Sequence, residues 1–528
     1  MTPHADEPHR DDHAELLRRR ALTEDAARPD AVERRHASQG RTARENVADL
    51  VDPDSFVEYG RFAIAAQRFR RDVDDLIART PADGLVAGTA RIDGNPCAVL
   101  AYDYTVLAGT QGALGHRKKD RLFDVIERMR LPTVFFAEGG GGRPGDTDYP
   151  VVSSLDVRAF KLWAALSGLV PRIAVVNGRC FAGNAVIAGC ADLIVATENA
   201  SIGMGGPAMI AGGGLGDVHP DEVGPMSVQA PNGVVDVVVA DEAQAVAVTK
   251  KLIGYFHGPS LPTAVADQTA LRTLVPERAR RAYQVGPIIE TIADAGSVTF
   301  LRERFAPEMV TALARIDGRA VGIVANNTMV MAGAITAGAS DKAARFLQLC
   351  DAFGLPVVSL VDCPGYMVGP AAEAEALVRR GSRMLVAGAA LRVPLVAVIL
   401  RRGYGLGAQA MCGGGLHEPL LTVAWPGAHL GPMGLEGAVR LGLRKELEAI
   451  TDDDEREERV RQATASAQEN AKALNAAQLF EIDDVIDPAE TRTVIASTLS
   501  AAECRRTGGS GSAYHQADSP RTRFIDTW

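Results

Sequence analysis

Aromatic residues make up only 5% of this chain, and its seven cysteines never fall in a CxxC pair. The first scarcity excludes a core built on stacked rings, so Ala, Val and Leu must fill it. The second, with an odd cysteine count, points away from a disulfide framework or a zinc site and towards a reducing compartment. Long apolar runs are missing too: VPLVAVIL (393–400) falls far short of the ~20 residues a membrane span needs. The opening MTPHADEPHRDDHAELLRRR has no apolar signal region. The expectation is a cytoplasmic protein that does not enter a membrane. Basic excess is absent as well. A net charge of −10 argues against nucleic acid, whose phosphates demand clustered Lys and Arg.

Several chemical motifs are also lacking. There is no GxxxxGK[ST], so the chain itself is not expected to hydrolyse ATP. None of the ten histidines forms HxH or HExxH, and no bound metal is expected. GGSGS (508–512) misses the GxSxG nucleophile pattern and reads as a flexible joint. GGGLGD (212–217) and GYGLGAQAM (403–411) are incomplete dinucleotide fingerprints without a suitably placed acid. His116, His417 and His429 read as structural. DDDERE (452–457) reads as a solvated helix face, and Asp362 as the end of a buried strand. No acid/base pair stands out, which favours chemistry done by backbone N–H groups and a cofactor.

What is present is glycine, 53 residues of it, and a repeat. ARIDG occurs at 90–94 and again at 314–318. At the same offset Val99 meets Ile323, Ala101 meets Ala325, Ala108-Gly109 meets Ala332-Gly333, and Lys118 and Arg121 meet Lys342 and Arg345. Leu131-Pro132 falls on Leu355-Pro356, and one register slip lays VPRIAVV (170–176) over VPLVAVI (393–399). Apolar strands alternate with helical patterns in both halves, as in KKDRLFDVIERMR (118–130), DVRAFKLWAALSG, SDKAARFLQLCDAFG and GPAAEAEALVRRGSRMLVAG, which predicts two tandem α/β domains. The Pro- and Arg-rich stretch 258–290 marks their junction, giving a charged segment 1–39, domains over 40–275 and 276–507, and a tail over 508–528.

The strongest local signals lie where each half turns from a strand into a Gly-rich helix start: IAVVNGRCFAGNAVIAGCADL (173–193) and VAVILRRGYGLGAQAMCGGG (396–415). A helix N-terminus offers unpaired N–H groups to a phosphate or to the oxygen of an enolate. Close backbone packing is the other reading of such glycines.

Taken together, GRAVGIVANN (318–327), SDKAARFLQLCDAFGLPVVSLVDCPGYMVG (340–369), RRGYGLGAQAM (401–411), VAWPGAHLGPMGLEGAV (423–439) and IDDVIDPAETR (482–492) resemble the carboxyltransferase (beta) subunit of biotin-dependent acyl-CoA carboxylases such as the propionyl-CoA, acetyl-CoA and methylcrotonyl-CoA enzymes. In the first half, GRTARENVADLVDPDSFVEYG (40–60), EGGGGR (138–143) and NGRCFAGNAVIAGCADL are similar to that family's motifs. The resemblance implies two crotonase-like ββα-superhelix domains, a homohexamer built as a trimer of dimers, and sites shared between the N-domain of one protomer and the C-domain of another. It implies acyl-CoA as substrate, biotin borne by a biotinylated biotin carboxylase/carrier (alpha) subunit, and a place in fatty acid metabolism. Carried over by position, the thioester oxyanion hole falls on Gly183 and Asn184 with Ala182 beside them. The biotin hole falls on Leu406 and Gly407 after Gly405. Gly141 and Gly142 line the acyl-CoA pocket, and Gln409 helps set acyl-chain choice. Asn184, Leu406, Gln409 and Asp236 depart from the family pattern. Three alternatives stay open: a biotin-dependent decarboxylase component, a crotonase-like hydratase or isomerase with a carboxylate beside one hole, and a non-catalytic assembly subunit.

Overall fold

The structure is a computed structural model, and it describes residues 10–149, 153, 155–278, 281–506 and 524–528. The expected GGSGS joint lies outside the described residues. The chain folds as two compact units that divide between Gly254 and Tyr255. That division precedes the 275/276 junction expected from composition, because residues after 254 pack on the second unit. Tyr255 reaches Thr299 Oγ1 at 2.9 Å, Ser260 N donates to Gly318 O at 2.9 Å, and Leu271 sits in the second unit's core.

In the first unit, strands β1 (Val57–Glu58), β2 (Leu85–Ile92), β3 (Asn95–Tyr102), β4 (Thr133–Phe136), β5 (Arg172–Val176), β7 (Leu193–Thr197) and β9 (Val237–Val239) lie side by side in that order. The first three are antiparallel and the rest parallel. β6 (Arg179–Phe181) and β8 (Ser201–Gly203) make a separate parallel ribbon. The second unit orders β10 (Thr299–Leu301), β11 (Met309–Ile316), β12 (Arg319–Asn326), β13 (Val357–Cys363), β14 (Leu395–Tyr404), β15 (Leu421–Ala424) and β17 (Asp484–Val485) in the same manner, and β16 (His429–Gly431) pairs the far end of β14. Central parallel strands are covered on both faces, which is why IAVV and VPLVAVI read as unbroken apolar runs rather than alternating ones.

The sequence repeat is a structural repeat. Each ARIDG forms the end of one strand and a hairpin turn in which both Asp and Gly have positive φ: 49° and 78° at Asp93-Gly94, 55° and 73° at Asp317-Gly318. Two left-handed residues in a row define the hairpin turn whose twist suits its strands. The helices Ala113–Met129 and Ala337–Phe353 follow at corresponding places. Each buries one lysine of the repeat against main-chain carbonyls. Lys118 Nζ donates to Ala82 O at 3.0 Å and to Leu85 O, and Lys342 Nζ donates to Arg302 O at 2.9 Å and Phe305 O at 2.8 Å. Burial pushes the Lys118 ammonium down to about 8.

Two local expectations need correction. GPAAEAEALVRRGSRMLVAG is two helices, Pro370–Ala374 and Leu377–Ala389, broken by a left-handed Ala376 (φ 58°). The core is not filled by Ala, Val and Leu alone either, since Phe123, Phe135 and Trp163 gather at centroid distances of 5.3 and 5.7 Å within the first unit. The charged N-terminal helices Asp11–Ala21 and Pro29–Ala37 bury no side chain fully, yet Arg28 and Arg35 anchor them: Arg28 to Asp103 at 2.9 Å, Arg35 to Glu138 at 2.7 Å. No helix among the described residues is long and apolar enough to cross a membrane.

Replacing either repeat lysine by Met strands buried carbonyl groups, so Lys118→Met and Lys342→Met are each expected to cost about 2–4 kcal/mol in chemical unfolding. The exposed Lys445→Met should change stability by less than about 0.5 kcal/mol. Equal, small losses at all three positions would contradict the anchoring role.

Candidate active site

The first helix start is built by β6. Ala182 follows it with φ 51° and ψ −122°, and this kink throws the chain into the short helix Gly183–Gly189. The Ala182 N–H is spent on Gly203 O at 3.1 Å. The N–H groups of Gly183 and Asn184, next in line, have no acceptor among the described residues. A helix beginning at a surface step leaves such donors by necessity.

Beside this turn runs the loop of EGGGGR. Gly139 N donates to Arg179 O at 2.7 Å and Phe181 N to Gly139 O at 2.9 Å, so the loop is stitched to β6. Gly140 N donates to Ala108 O at 3.2 Å, and Gln111 N to Gly141 O at 2.7 Å. Gly141 gives its own N–H to Asn184 Oδ1 at 3.0 Å, whereas the N–H of Gly142, exposed and with open space around it, has no acceptor among the described residues. Asn184 is fully buried, and its side chain is spent on the loop and on the strand ends behind it. Its Nδ2 lies 3.4 Å from Gly109 O and 3.3 Å from Glu138 O. Behind it, Gln111 Nε2 donates to Asn184 Oδ1 at 3.1 Å and Gln111 Oε1 accepts from Lys119 Nζ at 2.6 Å. Burial pushes the Lys119 ammonium down to about 7 and the nearby His116 to about 3.

The second helix start follows β14. Gly405, at φ 58°, repeats the left-handed kink of Ala182, and the helix runs Gly405–Met411. The N–H groups of Leu406 and Gly407 have no acceptor among the described residues. The Leu406 side chain is 65% exposed and Gln409 is exposed on the same short helix. Gly407 is obligatory on steric grounds, because a Cβ there would lie 2.7 Å from Cys363 Sγ and 2.8 Å from the Gly365 carbonyl carbon.

Two carboxylates on the strand ends beside the turns, Glu138 and Asp362, are both committed. Glu138 is bound by Arg35 through two hydrogen bonds of 2.9 and 2.7 Å, while burial pushes its carboxyl up. Asp362, fully buried, accepts from Arg401 Nε at 3.0 Å, Arg402 Nε at 2.5 Å and Tyr283 at 2.9 Å. Asp236 binds the Ile194 N–H at 2.7 Å and closes a strand end. The Cys363 and Cys412 thiols are pushed up to about 12 by burial, so neither is a thiolate nucleophile. No group of three or more metal-ligating side chains gathers among the described residues. What the two turns have in common is a pair of adjacent N–H groups without an acceptor among the described residues. Reading the sequence located both turns, but it missed the chain Lys119–Gln111–Asn184 and the Asp362 cluster. Lys119 looks like its neighbour Lys118 until the helix is built and the two point to different partners.

Comparison with known proteins agrees with this architecture. The carboxyl transferase domain model matches residues 34–510. The methylmalonyl-CoA carboxyltransferase 12S subunit of Propionibacterium freudenreichii subsp. shermanii is 35% identical over 505 residues, covering 92% of this chain and 93% of that one. A transcarboxylase 12S structure, described as a hexamer assembly, superposes with a TM-score of 0.83 at 32% identity, covering 95% of this chain and 97% of its own. A single-chain, multi-domain long-chain acyl-CoA carboxylase superposes with a TM-score of 0.88 at 54% identity over 93% of this chain. This chain spans only 49% of that larger enzyme. Each of the two units has the crotonase-like fold. The chain is an enzyme subunit, and it belongs to the carboxyl transferase family of biotin-dependent acyl-CoA carboxylases.

Proposed function

We propose that this chain moves a carboxyl group from carboxybiotin, carried by a biotinylated alpha subunit, to the α-carbon side of an acyl-CoA thioester, working as a hexamer. The observation that carries this reading is the pair of matched helix starts, with a left-handed residue just before one helix (Ala182) and at the first position of the other (Gly405), each presenting two adjacent N–H groups without an acceptor among the described residues.

Gly183 and Asn184 hold the thioester oxygen. Loss of an α-proton turns that oxygen into an enolate oxyanion, and two aimed amides in a water-poor site stabilise it by about 3 kcal/mol each. Ala182 supplies the kink, and Gly141 and Gly142 border the acyl-CoA. Leu406 and Gly407 hold the ureido oxygen of biotin, a neutral acceptor that gains negative charge in the reaction. The turn suits that group because the Leu406 and Gly407 N–H groups are adjacent and have no acceptor among the described residues. When bound, carboxybiotin supplies CO2 and a nitrogen that takes up the α-proton. The protein contributes position and fixed dipoles rather than a nucleophile. Gln409, exposed on the Gly405–Met411 helix, is the residue to which the family resemblance assigns a part in acyl-chain choice. The 54% identical relative acts on long-chain acyl-CoA, which favours a longer acyl group here over a two-carbon one.

Proline is tolerated at the first turn of a helix, so Leu406→Pro removes one donor with little structural cost. It is expected to lower carboxyl transfer roughly 100- to 1000-fold with the acyl-CoA KM unchanged; wild-type turnover would contradict the biotin-side assignment. The purified chain with ATP, labelled bicarbonate and a panel of acyl-CoAs should fix no label alone and should fix it once a biotinylated carboxylase partner is added. Fixation without a partner, or with none of the panel when the partner is present, would contradict the proposed division of labour.

A further inference from the structure

The two turns share a backbone clamp and differ in what is wired behind it. Gln111 N donates to Gly141 O and Arg143 N returns to Gln111 O at 3.0 Å; in the second unit Ile335 N donates to Gly365 O at 3.0 Å and Met367 N returns to Ile335 O at 2.9 Å. Matching the left-handed Ala182 and Gly405 places Gly183 on Leu406 and Asn184 on Gly407. The repeat register places Lys119 on Ala343.

Three polar residues in one unit, Gln111, Lys119 and Asn184, thus correspond to Ile335, Ala343 and Gly407 in the other. In the second unit the loop packs against bare helix backbone. In the first, a fully buried asparagine is inserted between them, and a fully buried lysine stands behind it. Lys119 Nζ has one hydrogen-bond partner, Gln111 Oε1, and sits 5.6 Å from the Tyr102 ring and 5.8 Å from the Phe160 ring. Among the described residues no carboxylate lies within ion-pair distance of it. A buried cation without a counter-ion is costly. The sister unit builds the same clamp with an isoleucine and an alanine, so the fold itself does not require it.

We propose that Lys119 is a positioning residue for carboxyl transfer, acting through Gln111 and Asn184 on the turn that carries the Gly183 and Asn184 N–H pair. An ammonium has only donors to give. Gln111 must therefore present Oε1 to it and Nε2 to Asn184. Asn184 in turn must present Oδ1 to Gln111 and to the Gly141 N–H, and Nδ2 to Gly109 O and Glu138 O. Each amide has two near-isosteric orientations, and the ammonium selects one for both. Without it Gln111 is free to flip, the Gly141 loop loses its tether, and the donors drift from the oxygen they hold.

This inference rests on the proposed acyl-CoA site. The test uses the full chain with its biotinylated partner, at a pH below 7 where the amine is charged. Gln111→Ile/Lys119→Ala copies the second unit's residues and is expected to fold with an unchanged melting temperature. It should lower kcat about 10- to 100-fold with the acyl-CoA KM within threefold. Lys119→Met should fall equally, because removing Gln111 after the ammonium adds nothing. Loss of CO2 from carboxybiotin without acyl-CoA should be unaffected, since the second turn is untouched. Unchanged kcat in both variants overturns the proposal while leaving the carboxyltransferase reading intact, and so does a fall in kcat that tracks a lower melting temperature and a raised KM. A wild-type chain that transfers nothing to any acyl-CoA sinks that reading and this inference with it.

Discussion

A helix cannot satisfy its first N–H groups internally, and this chain leaves two of them without an acceptor among the described residues at the same point of two repeated units. Everything else in the neighbourhood serves to aim those donors. A left-handed residue bends the strand into the helix, at Ala182 and at Gly405. A glycine-bearing loop is held alongside by two main-chain hydrogen bonds, through Gln111 in one unit and Ile335 in the other. Because the donors belong to the backbone, the chemistry survives wide side-chain change. Leucine at 406 in place of the family's usual glycine leaves the turn intact, its side chain being mostly exposed.

The repeat also shows which features the fold needs and which one site needs. The Asp-Gly hairpins, the carbonyl-capping lysines Lys118 and Lys342, and the loop clamp occur twice. They belong to the architecture. The Lys119–Gln111–Asn184 chain occurs once among the described residues, and the carboxylate at the corresponding place in each unit is held differently, Glu138 by Arg35 and Asp362 by Arg401, Arg402 and Tyr283. Single occurrence in a duplicated scaffold marks where the two halves have taken different tasks. In the proposed reaction these are a thioester that becomes an enolate and a ureido group that accepts charge.

Much of this was legible in the residues. Apolar runs such as VPLVAVI read as strands alternating with helices, the ARIDG repeat announced a duplicated unit, and both Gly-rich helix starts were visible as strand-to-helix changes in texture. Three things were not. The unit boundary moved to Gly254/Tyr255 because Tyr255 and Leu271 bind the second core through contacts far along the chain. The break at Ala376 has no glycine or proline to announce it. The use of the Gly141 N–H by Asn184 arises from a side chain turned inward, and the letter alone does not distinguish that from an exposed one. Sequence patterns report periodicity and local backbone preference, while hydrogen-bond partners distant along the chain are settled only by packing.

The central claim is that main-chain amides, not a side-chain base, grip the reacting oxygen of the acyl-CoA. The most direct measurement is a crystal structure of the chain with a non-reactive CoA thioester analogue bound. The account predicts the thioester oxygen about 3 Å from both the Gly183 and Asn184 nitrogens. An oxygen seated instead against a carboxylate or an arginine, with those two amides facing solvent, would contradict it.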